Sequence, residues 1–239
     1  MRPRYRAANG PKPWPPPAWC TQGTRRSGSW TRMRRRDRSP TIAPCLPKKF
    51  NGLRLTMDPT VPLAIFAIAP QPILIALGSL IGDKQQVTVF QKQRDTDSWC
   101  WHDEERQSSF QHDAVPSSDS AEVALVLSVS GTVSKETLPA EVASSGMPVL
   151  ELRAANPSVY IARTQEDVRA FEREAISLLD EVHSAMPHVA KVHIFPALPV
   201  SMAVTLGGLF NRNLLTKAVV YEKTDGRFSQ SIEIGGSDD

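Results

Sequence analysis

Leu63–Ala69 is an unbroken apolar run of strand length, the pattern of a strand covered on both faces. Pro72 suits the first turn of a helix, where its missing N–H is no loss. Ile73, Leu74, Leu77 and Leu80 carry that helix towards Gly82-Asp83. Gln86–Lys92 is the next strand, and Asp95–Ser98 turns into a short aromatic strand, Trp99-Cys100-Trp101. Residues 103–120 are polar and irregular, a surface loop. Glu122–Ser128 (EVALVLS) is the strongest strand of the chain, Pro139–Ser145 a short helix and Val149–Leu152 a further strand. Thr164 with Asp167 three residues on predicts an N-cap of the capping-box type. Val168, Phe171, Ala175, Leu178, Leu179, Val182 and Met186 then form one buried helical stripe. Val192–Phe195, a helix over Val200–Leu209, Ala218–Glu222, a hairpin turn at Asp225-Gly226 and Ser231–Ile234 complete the chain. Strands alternating with helices predict an α/β body with a mostly parallel sheet.

Part of this pattern is written twice. At an offset of 129, Ile65, Phe66, Pro70, Leu77, Gly78 and Leu80 meet Ile194, Phe195, Pro199, Leu206, Gly207 and Leu209. The offset then becomes 131, and Val89-Phe90-Gln91-Lys92 meets Val220-Tyr221-Glu222-Lys223. Two copies are too few for a solenoid, which needs three or more stacked units. They predict a pseudo-dimer whose halves face each other across one cleft, with the turns at Pro70 and Pro199 adjoining.

Charge divides the 239 residues unevenly. Residues 1–55 hold fourteen Lys or Arg against one acid, Asp37, while the remainder holds fourteen against twenty-four, a net −10. The first segment also carries nine of the twenty prolines and lacks aliphatic periodicity, so it buries too little apolar surface to offset the entropy of ordering. Residues 1–52 are expected to be a disordered basic segment. Its Arg32–Arg38 run would bind nucleic acid non-specifically, or is simply a basic tail. The folded body is expected over 53–235, in halves of roughly 53–120 and 121–235. Cys20, Cys45 and Cys100 have no metal-site or framework spacing and read as free thiols of a reducing cytoplasm. The uncharged stretch Val61–Gly82 is long enough to span a bilayer. However, Pro62, Pro70 and Pro72 break a continuous helix, so no membrane segment is expected.

His193-Ile-Phe-Pro-Ala-Leu-Pro-Val-Ser-Met-Ala-Val-Thr-Leu-Gly207 followed by Val219-Val-Tyr-Glu222 resembles the C-terminal signature of SAVED domains. Phe66-Ala-Ile-Ala-Pro70, Phe90-Gln-Lys-Gln-Arg-Asp-Thr96 and Val129-Ser-Gly-Thr132 resemble upstream segments of the same family. The resemblance covers 53–235. It implies two fused CARF-like, Rossmann-type subdomains in pseudo-two-fold arrangement. It also implies a sensor, not an enzyme, that binds a cyclic di-, tri- or tetranucleotide. Such a sensor relays the signal to an effector in bacterial antiphage defence (CBASS or type III CRISPR), with head-to-tail homo-oligomerisation on binding. No effector module, cofactor or metal requirement is readable here. The rival readings are a Rossmann-type enzyme acting on cyclic oligonucleotides and a basic-tailed nucleic-acid-binding protein.

Candidate ligand contacts follow from helix N-termini beyond strand ends, which suit phosphate. They are Pro70 and Gln71 in the first turn, and Leu198, Pro199, Val200 and Ser201 in the second; the prolines would equally shape a tight turn. Ser130, Gly131 and Thr132 end the central strand with small groups a phosphate or ribose can approach. Lys92, Arg94 and Lys223 follow the duplicated strands and are candidates for phosphate charge, with Tyr221 beside Lys223. Trp99 and Trp101 would stack on a base or pack in the core. His102, Asp103, Glu104, His112 and Asp113 carry ligand-type groups in a polar loop without a metal-site spacing. His183, His188 and His193 read as surface or satisfied core residues. No G-x-G-x-x-G, P-loop or G-x-S-x-G motif is present.

Overall fold

The computed structural model describes residues 61–81, 86–105, 107–212 and 217–235. The basic segment at 1–52, the expected start of the body at 53 and the helix end at Gly82-Asp83 lie outside them. The elements run β1 (Leu63–Phe66), α1 (Gln71–Ile81), β2 (Val87–Phe90), β3 (Phe110–His112), β4 (Glu122–Ser128), a single 3-10 turn (Lys135–Thr137) and α2 (Ala140–Ser144). There follow β5 (Val149–Ala154), α3 (Gln165–Ala185), β6 (Lys191–Ala197), α4 (Val200–Arg212), β7 (Lys217–Thr224) and β8 (Arg227–Ile234).

β1 and β2 form a two-stranded parallel sheet, and the other strands a six-stranded sheet ordered β3-β5-β4-β6-β7-β8. Its four inner strands are parallel, and β3 and β8 close the edges antiparallel. The fold is thus mixed α/β, as the alternation predicts. One face of this sheet, through Leu125, Leu127, Leu152 and Ile194, packs with α3 and α4 in the main core. Phe171, Ala175, Leu178, Leu179 and Val182 are the stripe that α3 buries. Its capping box is complete: the Thr164 hydroxyl accepts from the Asp167 N–H at 3.1 Å, and Asp167 accepts from the Thr164 N–H at 2.9 Å. The other face buries Ala124, Val126, Phe195, Val219 and Tyr221 beneath Val133, Val142 and Phe228.

The two copies meet through their helices. α1 packs along α4 and also reaches β7 and β8, while α4 reaches β2. The closest approach is reciprocal. A Cβ on Gly78 would sit 1.9 Å from the Val204 carbonyl oxygen, and one on Gly207 would sit 1.9 Å from the Ile75 carbonyl oxygen. Since 78 corresponds to 207 and 75 to 204, this is the self-complementary contact of a two-fold interface, here within one chain. Both glycines are required because the backbones touch there.

The aromatic packing repeats as well. Phe66 stacks on Phe90 at 4.5 Å with Trp99 edge-on to Phe66 at 5.4 Å; Phe195 stacks on Tyr221 at 4.3 Å with Phe228 edge-on at 5.3 Å. In each copy the matching lysine lies over the third ring, Lys92 just past β2 over Trp99 at 5.8 Å and Lys223 near the end of β7 over Phe228 at 5.7 Å. Each chain then turns back through an aspartate at positive φ, Asp97 (50°) and Asp225 (52°).

Several elements differ from the sequence reading. The polar loop over 103–120 contains edge strand β3, which pairs with β5 although the expected boundary at 120 puts it in the first half. Its only apolar residue, Phe110, packs edge-on against Phe171 at 5.8 Å. β8 begins at Arg227 rather than Ser231, since its exposed Ser229, Gln230 and Ser231 face solvent on an edge strand and dilute the apolar signal. Trp99–Trp101 is not a strand: the Gln93 N–H donates to the Ser98 carbonyl at 2.7 Å to close the turn, but no ladder continues. Cys100 is disulfide-bonded, which corrects the free-thiol reading and removes the argument it gave for a reducing compartment. No helix among the described residues is long and apolar enough to cross a membrane. The apolar run from Val61 instead folds as β1, a proline turn and α1.

Candidate ligand site at the sheet switch point

Adjacent parallel strands β4 and β6 send their chains in opposite directions. β4 leads through α2 to β5 on one side, and β6 through α4 to β7 on the other. α2 covers one face of the sheet and α4 the opposite one. At such a reversal a crevice opens beyond the carboxyl ends of the strands, the place where open α/β sheets hold ligands.

The crevice walls are held by backbone hydrogen bonds. The Val129 and Ser130 N–H groups both donate to the Ala197 carbonyl, at 3.1 and 2.7 Å. The Ser128 hydroxyl, almost fully buried, accepts the Val133 N–H at 3.1 Å and so shapes the loop between. Ser130 and Gly131 are half-buried and Thr132 is exposed. A Cβ on Gly131 would meet nothing within 4 Å, so open space lies over that backbone.

The opposite wall is Leu198–Ser201, and the first copy contributes to it. The Leu198 N–H donates to Gln71 Oε1 at 3.0 Å. Gln91 Oε1 accepts from both the N–H and the hydroxyl of Ser201, each at 3.1 Å. The turns at Pro70 and Pro199 therefore adjoin, and the amide of Gln91 caps the first turn of α4. Pro70, Gln71, Ser130, Gly131, Thr132, Leu198, Pro199, Val200 and Ser201 thus gather at one place. Ser201 faces inward, completely buried, so it supports the wall rather than facing the opening.

Other nominated residues are used elsewhere. Tyr221 is buried in the second cluster, on the face away from α4, with its hydroxyl 3.0 Å from His193 Nδ1. Burial pushes its phenol pKa up, and the nearby Glu122 charge adds to this. His193 Nε2 lies 3.2 Å from Glu122, whose carboxyl is held below the usual range chiefly by the Lys191 ammonium at 2.6 Å. Lys92 is bound by the Asp97 carboxylate at 2.7 Å and by the Asp97 carbonyl, over the Trp99 ring. Lys223 lies over Phe228. Trp99 and Trp101 are half-buried against Phe66 and Phe90. Arg94 is exposed. Alternation along β7 puts Tyr221 and Lys223 on the sheet face away from α4, while Lys92 and Arg94 lie beyond the end of β2.

The ligand-type residues of the polar loop also separate. His102 Nδ1 faces an Arg163 guanidinium N–H at 3.1 Å, in a network where Arg163 also binds Glu104 and Asp95. Those carboxylates, Glu104 first, raise the Arg163 pKa. His112 sits between Glu174 at 2.7 Å and Glu181 at 3.3 Å, tying β3 to α3. Asp113 pairs with Arg153 at 2.8 Å. No group of three or more His, Cys, Asp or Glu among the described residues is arranged to hold a metal ion. A separate cavity of about 290 Å³ lies towards the far ends of α1 and α4, between Thr88, Trp101, Arg169 and Thr205.

Sequence reasoning missed Gln91 and the loop after β5. Gln91 lies in the duplicated segment, but its role is visible only once α4 is placed against β2. In the β5 loop, the Ser158 N–H donates to the Val129 carbonyl at 3.0 Å, which brings that loop to the same rim.

A duplicated strand–helix–strand unit with a switch point in a mostly parallel sheet defines a Rossmann-type fold. The model of the SMODS-associated and fused to various effectors sensor domain, SAVED, matches residues 47–234. The chain belongs to that family. No curated protein sequence matches it. Among solved structures it resembles the Acinetobacter baumannii Cap4 SAVED/CARF-domain containing receptor with the cyclic trinucleotide 2'3'3'-cAAA. That match has a TM-score of 0.62 and 19% identity over 80% of this chain and 42% of the other. The same receptor with 3'3'3'-cAAA matches at TM-score 0.59 and 17% identity, over 79% of this chain and 42% of the other. The Moraxella osloensis Cap4 receptor matches at 0.58 and 16%, over 82% of this chain and 43% of the other. The chain therefore spans about two fifths of the length of these receptors.

Proposed function

We propose that this chain is a sensor that binds a cyclic oligonucleotide in the crevice between the ends of β4 and β6. The observation that carries this reading is the meeting of Ser130–Thr132, the first turn of α4 and the Pro70-Gln71 turn at the switch point. Loop 129–132 and turns 69–71 and 197–201 contain no charged residue. Phosphate recognition therefore falls to the backbone and hydroxyls of the Ser130–Thr132 loop, since the Leu198 and Ser201 N–H groups at the head of α4 are already held by Gln71 and Gln91. A ring of near-symmetric nucleotides suits a site to which both copies contribute. Family membership and the cyclic trinucleotides held in two structures of one matched receptor support the same ligand class. Relay to an effector in antiphage defence, head-to-tail assembly on ligand binding, a cytoplasmic setting and the lack of catalysis belong to this proposal.

The test is a thermal-shift series with cyclic di-, tri- and tetranucleotides and their linear counterparts on the full chain. A ligand binding the folded state alone stabilises it by about 2.7 kcal/mol at 100 times its Kd. A melting-temperature rise with at least one cyclic compound, and none with its linear form, is expected. No rise with any cyclic compound contradicts the reading. Turnover of the bound compound would favour the rival enzyme.

A further inference from the structure

Resting on that reading, we infer that Tyr160 is the base-stacking residue of the site and thereby a determinant of which nucleobase it accepts. Stacking needs an aromatic face open to solvent at the rim, held by a rigid support. Trp99, Trp101 and Tyr221 are engaged with Phe66, Phe90 and Phe195. Tyr160 is 47% exposed and belongs to none of these ring contacts.

Its support is well fixed. The Ser158 N–H donates to the Val129 carbonyl at 3.0 Å, and the Ile161 N–H returns to the Ser158 carbonyl at 3.1 Å. The Tyr160 N–H donates to the Ser158 hydroxyl at 3.2 Å. Ile161 and Ala162 behind it are almost fully buried, and Gln93 Nε2 donates to the Ala162 carbonyl at 3.0 Å. An exposed ring therefore stands on a hydrogen-bonded turn anchored at Val129, between the end of β4 and Ser130. Two chain steps separate Tyr160 from Ser158, at most about 7.6 Å between Cα atoms. A tyrosine side chain spans that interval. Val159 beside it, 46% exposed, widens the apolar platform.

The probe is cyclic tri-adenylate in its 3'3'3' and 2'3'3' forms, with one adenine replaced by 2-aminopurine. The full chain and its Tyr160→Ala and Tyr160→Phe variants are titrated, reading affinity and fluorescence. Stacking on wild type quenches the fluorophore. Tyr160→Ala should lose that quenching and weaken binding about 5- to 150-fold, the equivalent of one stacked base. Tyr160→Phe should stay within about 2-fold, because it keeps the ring. Melting curves of the unliganded variants should coincide with wild type, since the side chain is exposed. Wild-type affinity and quenching in Tyr160→Ala would overturn the inference while leaving the proposed function standing. Equal losses in both variants would also overturn it, since the hydroxyl would then be responsible. Failure of the wild type to bind either probe or any other cyclic oligonucleotide would bring down the proposed function and this inference together.

Discussion

The two copies of the strand–helix–strand unit share their internal contacts but not their surroundings. In the second, β6 and β7 lie inside a six-stranded sheet, and the stacked pair Phe195–Tyr221 is 0% and 7% exposed. In the first, β1 and β2 form a two-stranded sheet, and the matching pair has Phe66 43% and Phe90 5% exposed. One sequence pattern thus builds one packing unit twice, and the context decides how much each unit stabilises. The second copy is the structural anchor. The first lends side chains to its neighbour, as Gln71 and Gln91 do at the head of α4.

The sharpest way to break this comparison is to truncate the matched phenylalanines. Phe195→Ala should cost about 3–5 kcal/mol, the range for a fully buried ring. Phe66→Ala should cost less, about 1–2 kcal/mol, because nearly half of the ring's surface is already in water. Urea unfolding of both variants checks the difference; equal losses would remove the claim that context separates the copies.

The helix crossing tests what the copies have in common. Gly78→Ala and Gly207→Ala each drive a Cβ into a carbonyl oxygen of the partner helix, and each should cost about 2–3 kcal/mol despite alanine's better helix propensity. Their losses should match. Gly208→Ala is the control: its Cβ would meet only the Gly78 oxygen at 3.9 Å, so it should be neutral or stabilising by up to about 1 kcal/mol.

A pH dependence tests the capping box of α3, which lies outside both copies. Burial alone would raise the Asp167 pKa, but hydrogen bonds from Thr164 and Ser108 outweigh it and hold the carboxyl below its ordinary value. A depressed folded-state pKa contributes stability above the unfolded value, near 3.8, that is lost as pH falls through the folded one. Asp167→Asn should therefore cost about 1–2 kcal/mol at pH 7, with the gap from wild type closing below about pH 4. Chemical denaturation across pH 2–7 reads this directly, and a pH-independent gap would contradict it. The smallest effect concerns the paired lysines. Lys92→Met and Lys223→Met should each cost about 0.5–1 kcal/mol through lost cation–π contacts. A large loss of ligand affinity in either would restore them to the site.

Much of this was legible before any coordinates. The offset match marked the duplicated glycines and prolines because close helix crossing and tight turns demand those residue types. The Thr164–Asp167 box and the stripe through Val182 fixed α3, since long amphipathic helices carry a strong period. β3 stayed hidden because a three-residue edge strand with one apolar position has no period to read. The partition of the site was hidden for a different reason. Whether Lys92 faces the crevice or Trp99, and whether Gln91 caps its own copy or the other, depends on which sheet face each helix covers. No local pattern encodes that. Tyr160 escaped notice because a lone aromatic in a loop looks the same whether it lines a rim or not.

The central claim is that ligand occupies the reversal between β4 and β6. Hydrogen exchange with and without saturating cyclic oligonucleotide tests it most directly. Protection should appear at 129–133, 197–202 and 68–74, and the β7–β8 hairpin at 217–234 should exchange unchanged. Protection confined to the cavity around Thr88, Arg169 and Thr205, with the three rim segments unaltered, would contradict the account.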